Sequence, residues 1–161
     1  MTYAFDVDAG DKAALYRDLL RALDALTAGE ADGVANMANA AALIRQHVPD
    51  INWAGFYRVI DGGLVLGPFQ GKPACIRIGW GQGVCGTAAA TGATQLVADV
   101  HAFPGHIACD AVSAAELVVP IRAADGRVIA VLDIDSPTIG RFDPADRVGC
   151  EALAALLGER I

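Results

Sequence analysis

Apolar positions along the chain recur first with a helical period and then with a strand period. Leu15, Leu19, Leu23 and Leu26 fall three or four residues apart until Gly29, which predicts a helix with a glycine stop. Asp32 is placed to cap a second helix carrying Val34, Met37, Ala38, Ala41, Ile44 and Val48, and Pro49 ends it. From residue 51 the period shortens. Asn52 to Ile60 reads as a strand, Asp61-Gly62-Gly63 as its turn and Leu64 to Leu66 as the return. A short strand is expected around Ala74 to Ile78, a short helix over Gly83 to Ala90 and an extended segment over Thr94 to Val97. Residues 99–114 mix Pro, Gly, two His and one Cys without a period, which predicts a long functional loop. The clearest element is a hairpin from Glu116 to Asp135, in which two β-rich runs flank Asp125-Gly126, a two-residue turn signal. A last amphipathic helix runs from about Pro144 to Leu157. The expected fold class is α+β: one domain over 1–161, with N-terminal helices in 11–48 and a core in 51–158 that holds a central antiparallel sheet of about six strands and the C-terminal helix.

The hairpin register carries chemistry. With Asp125-Gly126 as turn centre, Ala124 faces Arg127, and stepping outward sets Glu116 opposite Asp135. Strand alternation then puts Glu116, Val118 and Pro120 on one face with Ile129, Val131, Asp133 and Asp135. Three carboxylates gather at one end of an otherwise apolar face. Such acids are either solvated or line a pocket, and a pocket suits a cation such as an α-ammonium or a carboxyl kept protonated. The apolar lining between the acids and the turn favours the pocket. Trp53 and Tyr57 share a strand face with Gly55 between them, where two aromatics with room between could wall a small ligand; as an isolated pair they would be ordinary core.

Charge and cysteine usage narrow the chemistry. The 161 residues are 54% hydrophobic and 19% charged, with a net charge of −7, which disfavours nucleic acid and anionic membranes as partners. The start, MTYAFDVDAGDK, has no basic stretch before an apolar run, so no signal peptide is expected, and no apolar stretch approaches the ~20 residues that cross a bilayer. A cytoplasmic location with reduced thiols is therefore expected. Its four cysteines would be inert, metal-binding or redox-active. Cys85 lies near a helix start, where the dipole favours thiolate, and Cys109 follows His106 by three residues in the loop. Cys150 reads as a small apolar residue of the last helix. No spacing resembles C-x₂-C, and separations of 10 and 24 residues are loose for a zinc knuckle. A Cys–His acyl-transfer nucleophile lacks any oxyanion-hole or third-member signal.

The stretches NWAGFY, LVLGPFQGKPAC, GVCGTAAAT, VADVHAFPGHIACD, ELVVPI and VLDIDSP, from Asn52 to about Pro137, resemble the free methionine-(R)-sulfoxide reductases, small proteins of the GAF fold. The resemblance implies a single GAF domain and an oxidoreductase. It implies Cys109 as the attacking cysteine, Cys85 and Cys75 as resolving cysteines, and Trp53, Tyr57, Glu116, Asp133 and Asp135 as the substrate pocket. It further implies sulfenic acid and disulfide chemistry regenerated by thioredoxin, no metal or organic cofactor, and a homodimer. The alternatives are a non-enzymatic GAF sensor of a small ligand, a thiol protein that switches an interaction surface, and a reductase of methionine sulfoxide within proteins, which a pocket of acids clamping a free ammonium would exclude.

Overall fold

A computed structural model describes residues 7, 10–107 and 109–161. Helix α1 (Lys12–Thr27) starts where the Asp11 carboxylate accepts from the Ala13 and Ala14 N–H groups. Helix α2 (Gly33–His47) starts in the same way at Asp32. Strands β1 (Trp53–Ile60), β2 (Gly63–Gln70) and β3 (Arg77–Ile78) precede helix α3 (Gly83–Thr91) and strand β4 (Gln95–Val97). Strands β5 (Ala115–Arg122) and β6 (Val128–Ser136) then lead to helix α4 (Pro144–Gly158), which opens on a capping box between Asp143 and Asp146. The six strands form one antiparallel sheet in the order β3-β2-β1-β6-β5-β4. No helix among the described residues is long and apolar enough to cross a membrane.

Strand alternation divides the interior in two. One face sends Phe56, Leu117, Val119, Ile121, Leu132 and Ile134 into the leucines of α1 and α4 and the Met37–Ile44 face of α2. The opposite face carries Trp53, Tyr57, Val118 and Val131 against Val84, Cys85, Ala88 and Ala89 of α3. The acids belong to this second face, because they share strand parity with Val118 and Val131.

The sheet departs from the expected pattern at three places. Strand β2 continues past Leu66 to Gln70, because a bulge opposite Phe56 absorbs Gly67 and Pro68 without ending the pairing. Strand β3 is shorter than expected; Ala74 lines a cavity instead, and Cys75 is held in a disulfide with Cys109. The third departure is the β5–β6 turn. Gly126 N–H donates to Ala123 C=O and Ala123 N–H donates to Arg127 C=O, both at 2.9 Å, so the turn centres on Ala124-Asp125 and not on Asp125-Gly126. Gly126, at φ 85°, is the extra left-handed residue of a three-residue loop. That geometry pairs Arg122 with Val128, one step off the expected register. A shift beside Ile121 restores it, and Glu116 stands opposite Asp135 as expected.

Candidate active site

Six segments converge on one cavity. Strands β1, β5 and β6 supply Trp53, Tyr57, Glu116, Asp133 and Asp135, and α3 supplies Cys85. The segment after β2 brings Pro73 and Ala74, and the loop before β5 brings His106, Ile107, Cys109, Asp110 and Ser113. Within residues 99–114 the chain forms a 3₁₀ turn at Val100–Ala102, started by the Asp99 carboxylate accepting from His101 N–H. Ala108 lies outside the described residues. Cys109 and the three acids, joined in the sequence only by the family motifs, therefore line the same space.

The acids are buried without cationic partners. Glu116 and Asp133 are buried at 7% and 6% exposure, Asp135 is half-buried, and Asp133 Oδ1 is shielded from solvent with no hydrogen-bond partner. Among the described residues no Lys or Arg pairs with them; His106 Nε2, 3.8 Å from Glu116 Oε2, is their basic neighbour. Burial holds the Glu116 and Asp135 carboxyls well above the ordinary range, and the charge of Asp133 adds to it. Burial pushes Asp133 up to about 7. Burial also pulls His106 down, favouring its neutral ring. Burial and mutual repulsion thus favour the protonated carboxyls here, and a cation would favour the ionised ones.

The cysteines separate into two kinds. Cys75 and Cys109 form a disulfide, with Cα atoms 5.6 Å apart across 34 residues of sequence. Cys85 remains a free, buried thiol with Sγ 3.8 Å from Glu116 Oε1. Burial, then Asp133 and Glu116, push this thiol well above its usual value. The helix start therefore does not yield the expected thiolate: desolvation and two neighbouring acids outweigh the α3 dipole. Cys150 is buried within α4, in the core on the opposite face of the sheet from Cys85.

Trp53 and Tyr57 share a face as expected, but the space beside Gly55 is filled. A Cβ on Gly55 would lie 2.4 Å from Phe69 Cβ and 2.6 Å from Trp53 Cη2. The β1–β2 pairing sets Phe69 opposite Gly55, and Trp53 stacks between Phe69 and Tyr57 with centroids 5.3 and 6.1 Å away. The glycine serves aromatic packing behind the pocket wall. Trp53 Nε1–H donates to Lys72 C=O at 3.1 Å, and Tyr57 O–H donates to Cys75 C=O at 3.1 Å. The aromatic wall thereby holds the strand-end segment that bears Cys75.

Two further features escaped the sequence reading. His106 approaches Glu116, and Asp110 braces the mouth: it accepts from Asn52 Nδ2 at 3.4 Å and lies 3.5 Å from Lys72 Nζ. The sequence marked His106 only by its spacing from Cys109, and Asp110 only by its place in the motif stretch that ends on it. Finally, one donor atom each of Cys85, Glu116 and Asp133 lie within 4.8 Å of one another, a grouping drawn from three elements.

A GAF domain model matches residues 35–161, and the fold and the pocket on its α3 face agree with that class. Free methionine-R-sulfoxide reductase of Escherichia coli (strain K12) is 52% identical over 147 residues, 91% of this chain and 88% of that protein. The crystal structure of free methionine-R-sulfoxide reductase from Neisseria meningitidis in complex with its substrate is 46% identical and covers 99% of this chain and 95% of its own, with a TM-score of 0.94. A Burkholderia vietnamiensis structure named for a GAF sensor protein is 55% identical over 94% of this chain and 96% of its own, with a TM-score of 0.91. The chain belongs to the free methionine-R-sulfoxide reductase family of GAF-domain proteins.

Proposed function

We propose that this protein reduces free methionine-(R)-sulfoxide to methionine, with Cys109 as the attacking thiol and Cys75 as the resolving one. The observation that carries the reading is the junction of Cys109 with three cation-poor buried acids around a single cavity. An amino acid's α-ammonium pairs with an ionised acid of the cluster, a contact that a peptide-bound residue, whose nitrogen is an uncharged amide, cannot make. A second carboxyl, kept protonated by burial, hydrogen-bonds the sulfoxide oxygen and makes sulfur electrophilic. The Cys109 thiolate attacks the sulfoxide sulfur and oxygen passes to the cysteine with the acid's proton. Methionine and a Cys109 sulfenic acid result. The Cys75 thiol displaces water from that sulfenic acid, giving the Cys75–Cys109 disulfide. An external dithiol, thioredoxin by family resemblance, supplies two electrons and two protons to reopen it. These steps use no metal or organic cofactor, and they suit a reducing compartment such as the cytoplasm.

Cys85 takes a positioning role in this scheme. Its S–H points at Glu116 Oε1, and the disulfide observed joins Cys109 to Cys75. Methionine formation by Cys109→Ser, measured with dithiothreitol as reductant, is expected to fall to background. Turnover at the parental rate would overturn the assignment. A non-enzymatic sensor is separated by thiol titration, since only an enzyme consumes thiols in proportion to added sulfoxide.

A further inference from the structure

We propose that Cys85, Glu116 and Asp133 form a site for one thiophilic divalent cation of the zinc or cadmium class, and that its occupation blocks the pocket. The donor atoms are a sulfur and two carboxylate oxygens within 4.8 Å of one another, all buried. Tetrahedral zinc with thiolate and carboxylate ligands needs donors roughly 3.3–3.6 Å apart, a contraction of about 1 Å that side-chain rotation supplies. A second observation points the same way. Asp133 is 6% exposed and its Oδ1 has no hydrogen-bond partner, so the carboxylate that stands within 4.8 Å of the other donors carries a desolvated, unused lone pair. No Lys or Arg among the described residues competes for the acids, and the three donors line the cavity through which an ion would enter. His106 Nε2, 3.8 Å from Glu116 Oε2, offers a fourth donor on the cavity side.

The donor chemistry selects the ion. One thiolate with two carboxylates suits zinc or cadmium, whereas calcium wants six to eight oxygens and magnesium keeps its waters. Binding displaces the thiol proton of Cys85 and any carboxyl proton into solvent. Since Cys85 stays outside the Cys75–Cys109 disulfide, the site exists in the oxidised protein as well as the reduced one. The blocking half of the proposal rests on the reading of Glu116 and Asp133 as substrate-pocket acids; the binding half does not. The ion is an inhibitor here, with no part in turnover.

The test is a titration of cadmium chloride into protein whose Cys75–Cys109 disulfide is closed, following the sulfur-to-cadmium charge-transfer band in the ultraviolet. The expected result is one equivalent bound with a band of single-thiolate intensity, displaced by zinc chloride. Cys85→Ser should abolish the band, and Asp133→Asn, which keeps the thiol, should weaken binding at least about tenfold. Cys150→Ala should leave both unchanged. Absence of a band in the folded oxidised protein, or a band lost in Cys150→Ala and kept in Cys85→Ser, overturns the proposal. Added methionine-(R)-sulfoxide should weaken apparent cadmium affinity in the Cys75→Ser/Cys109→Ser double variant, in which neither disulfide cysteine is left to bind the ion; unchanged affinity overturns the blocking half. A band in a protein that never turns over sulfoxide would instead defeat the functional reading alone.

Discussion

Each side of the sheet buries a tyrosine, a cysteine and a carboxylate, and the two groups differ in what the carboxylate meets. On the α1–α4 side, Asp146 is fully buried and receives Lys12 Nζ at 2.5 Å, Arg141 Nη1 at 3.2 Å, Tyr16 O–H at 2.9 Å and the Asp143 N–H at 2.9 Å. Cys150 lies beside this network, its thiol pushed up to about 12 by burial. On the α3 side, Glu116 and Asp133 meet each other, the Cys85 thiol and a histidine at 3.8 Å, and one Asp133 oxygen meets nothing. Burying a charge is costly unless it is paired and hydrogen-bonded. The first group meets that condition within the fold and acts as a brace between α1 and α4. The second does not, and the proposed function pairs it with the ammonium group of its substrate. Saturation of the carboxylate, more than its burial, separates structure from function here.

Substitutions can test this contrast, in descending order of effect. Glu116→Gln keeps shape and removes the acid, so kcat/KM for free methionine-(R)-sulfoxide should fall by about 10²–10⁴ while the melting temperature holds or rises. Unchanged kinetics would break the comparison. Asp146→Ala should do the reverse: it removes the buried acceptor shared by Lys12, Arg141 and Tyr16, leaving Lys12 only Asp143 and Arg141 only the Pro49 carbonyl, and should cost about 3–5 kcal/mol in denaturant unfolding, with kcat of the folded protein retained. The tyrosines sharpen the point on a smaller scale. Tyr16→Phe removes a bond to a charged acceptor and should cost about 1.5–3 kcal/mol. Tyr57→Phe removes a bond to the neutral Cys75 carbonyl and should cost about 0.5–1.5 kcal/mol. Its clearer signature is kinetic, because the Cys75 segment loses an anchor: disulfide closure, followed by loss of free thiols after one equivalent of sulfoxide, should slow.

The site's legibility in the sequence followed the range of each interaction. The grouping of Glu116, Asp133 and Asp135 was readable from strand parity and one turn, although the turn itself was misplaced by a residue. The bulge beside Ile121 compensated for that error, and nothing in the composition of Arg122 to Ile129 signals it. The Gly55 space was misread because its occupant, Phe69, comes from the neighbouring strand. The thiolate expected at Cys85 failed for a similar reason: the helix start is local, whereas the acids that oppose ionisation lie 31 and 48 positions further along the chain.

By itself, the sequence determined the helices, the strands and the face each side chain occupies. Those depend on apolar periods of 3.6 and 2 and on carboxylate caps at Asp11, Asp32 and Asp143, all of which act within a few residues. Its motifs also named the family. Only the tertiary structure decided that Cys75, and not Cys85, meets Cys109, that Asp146 has its cations, and that Glu116 and Asp133 have no Lys or Arg among the described residues. Those outcomes depend on which distant elements share a face of the sheet, and packing across tens of residues leaves no period in the chain to be read.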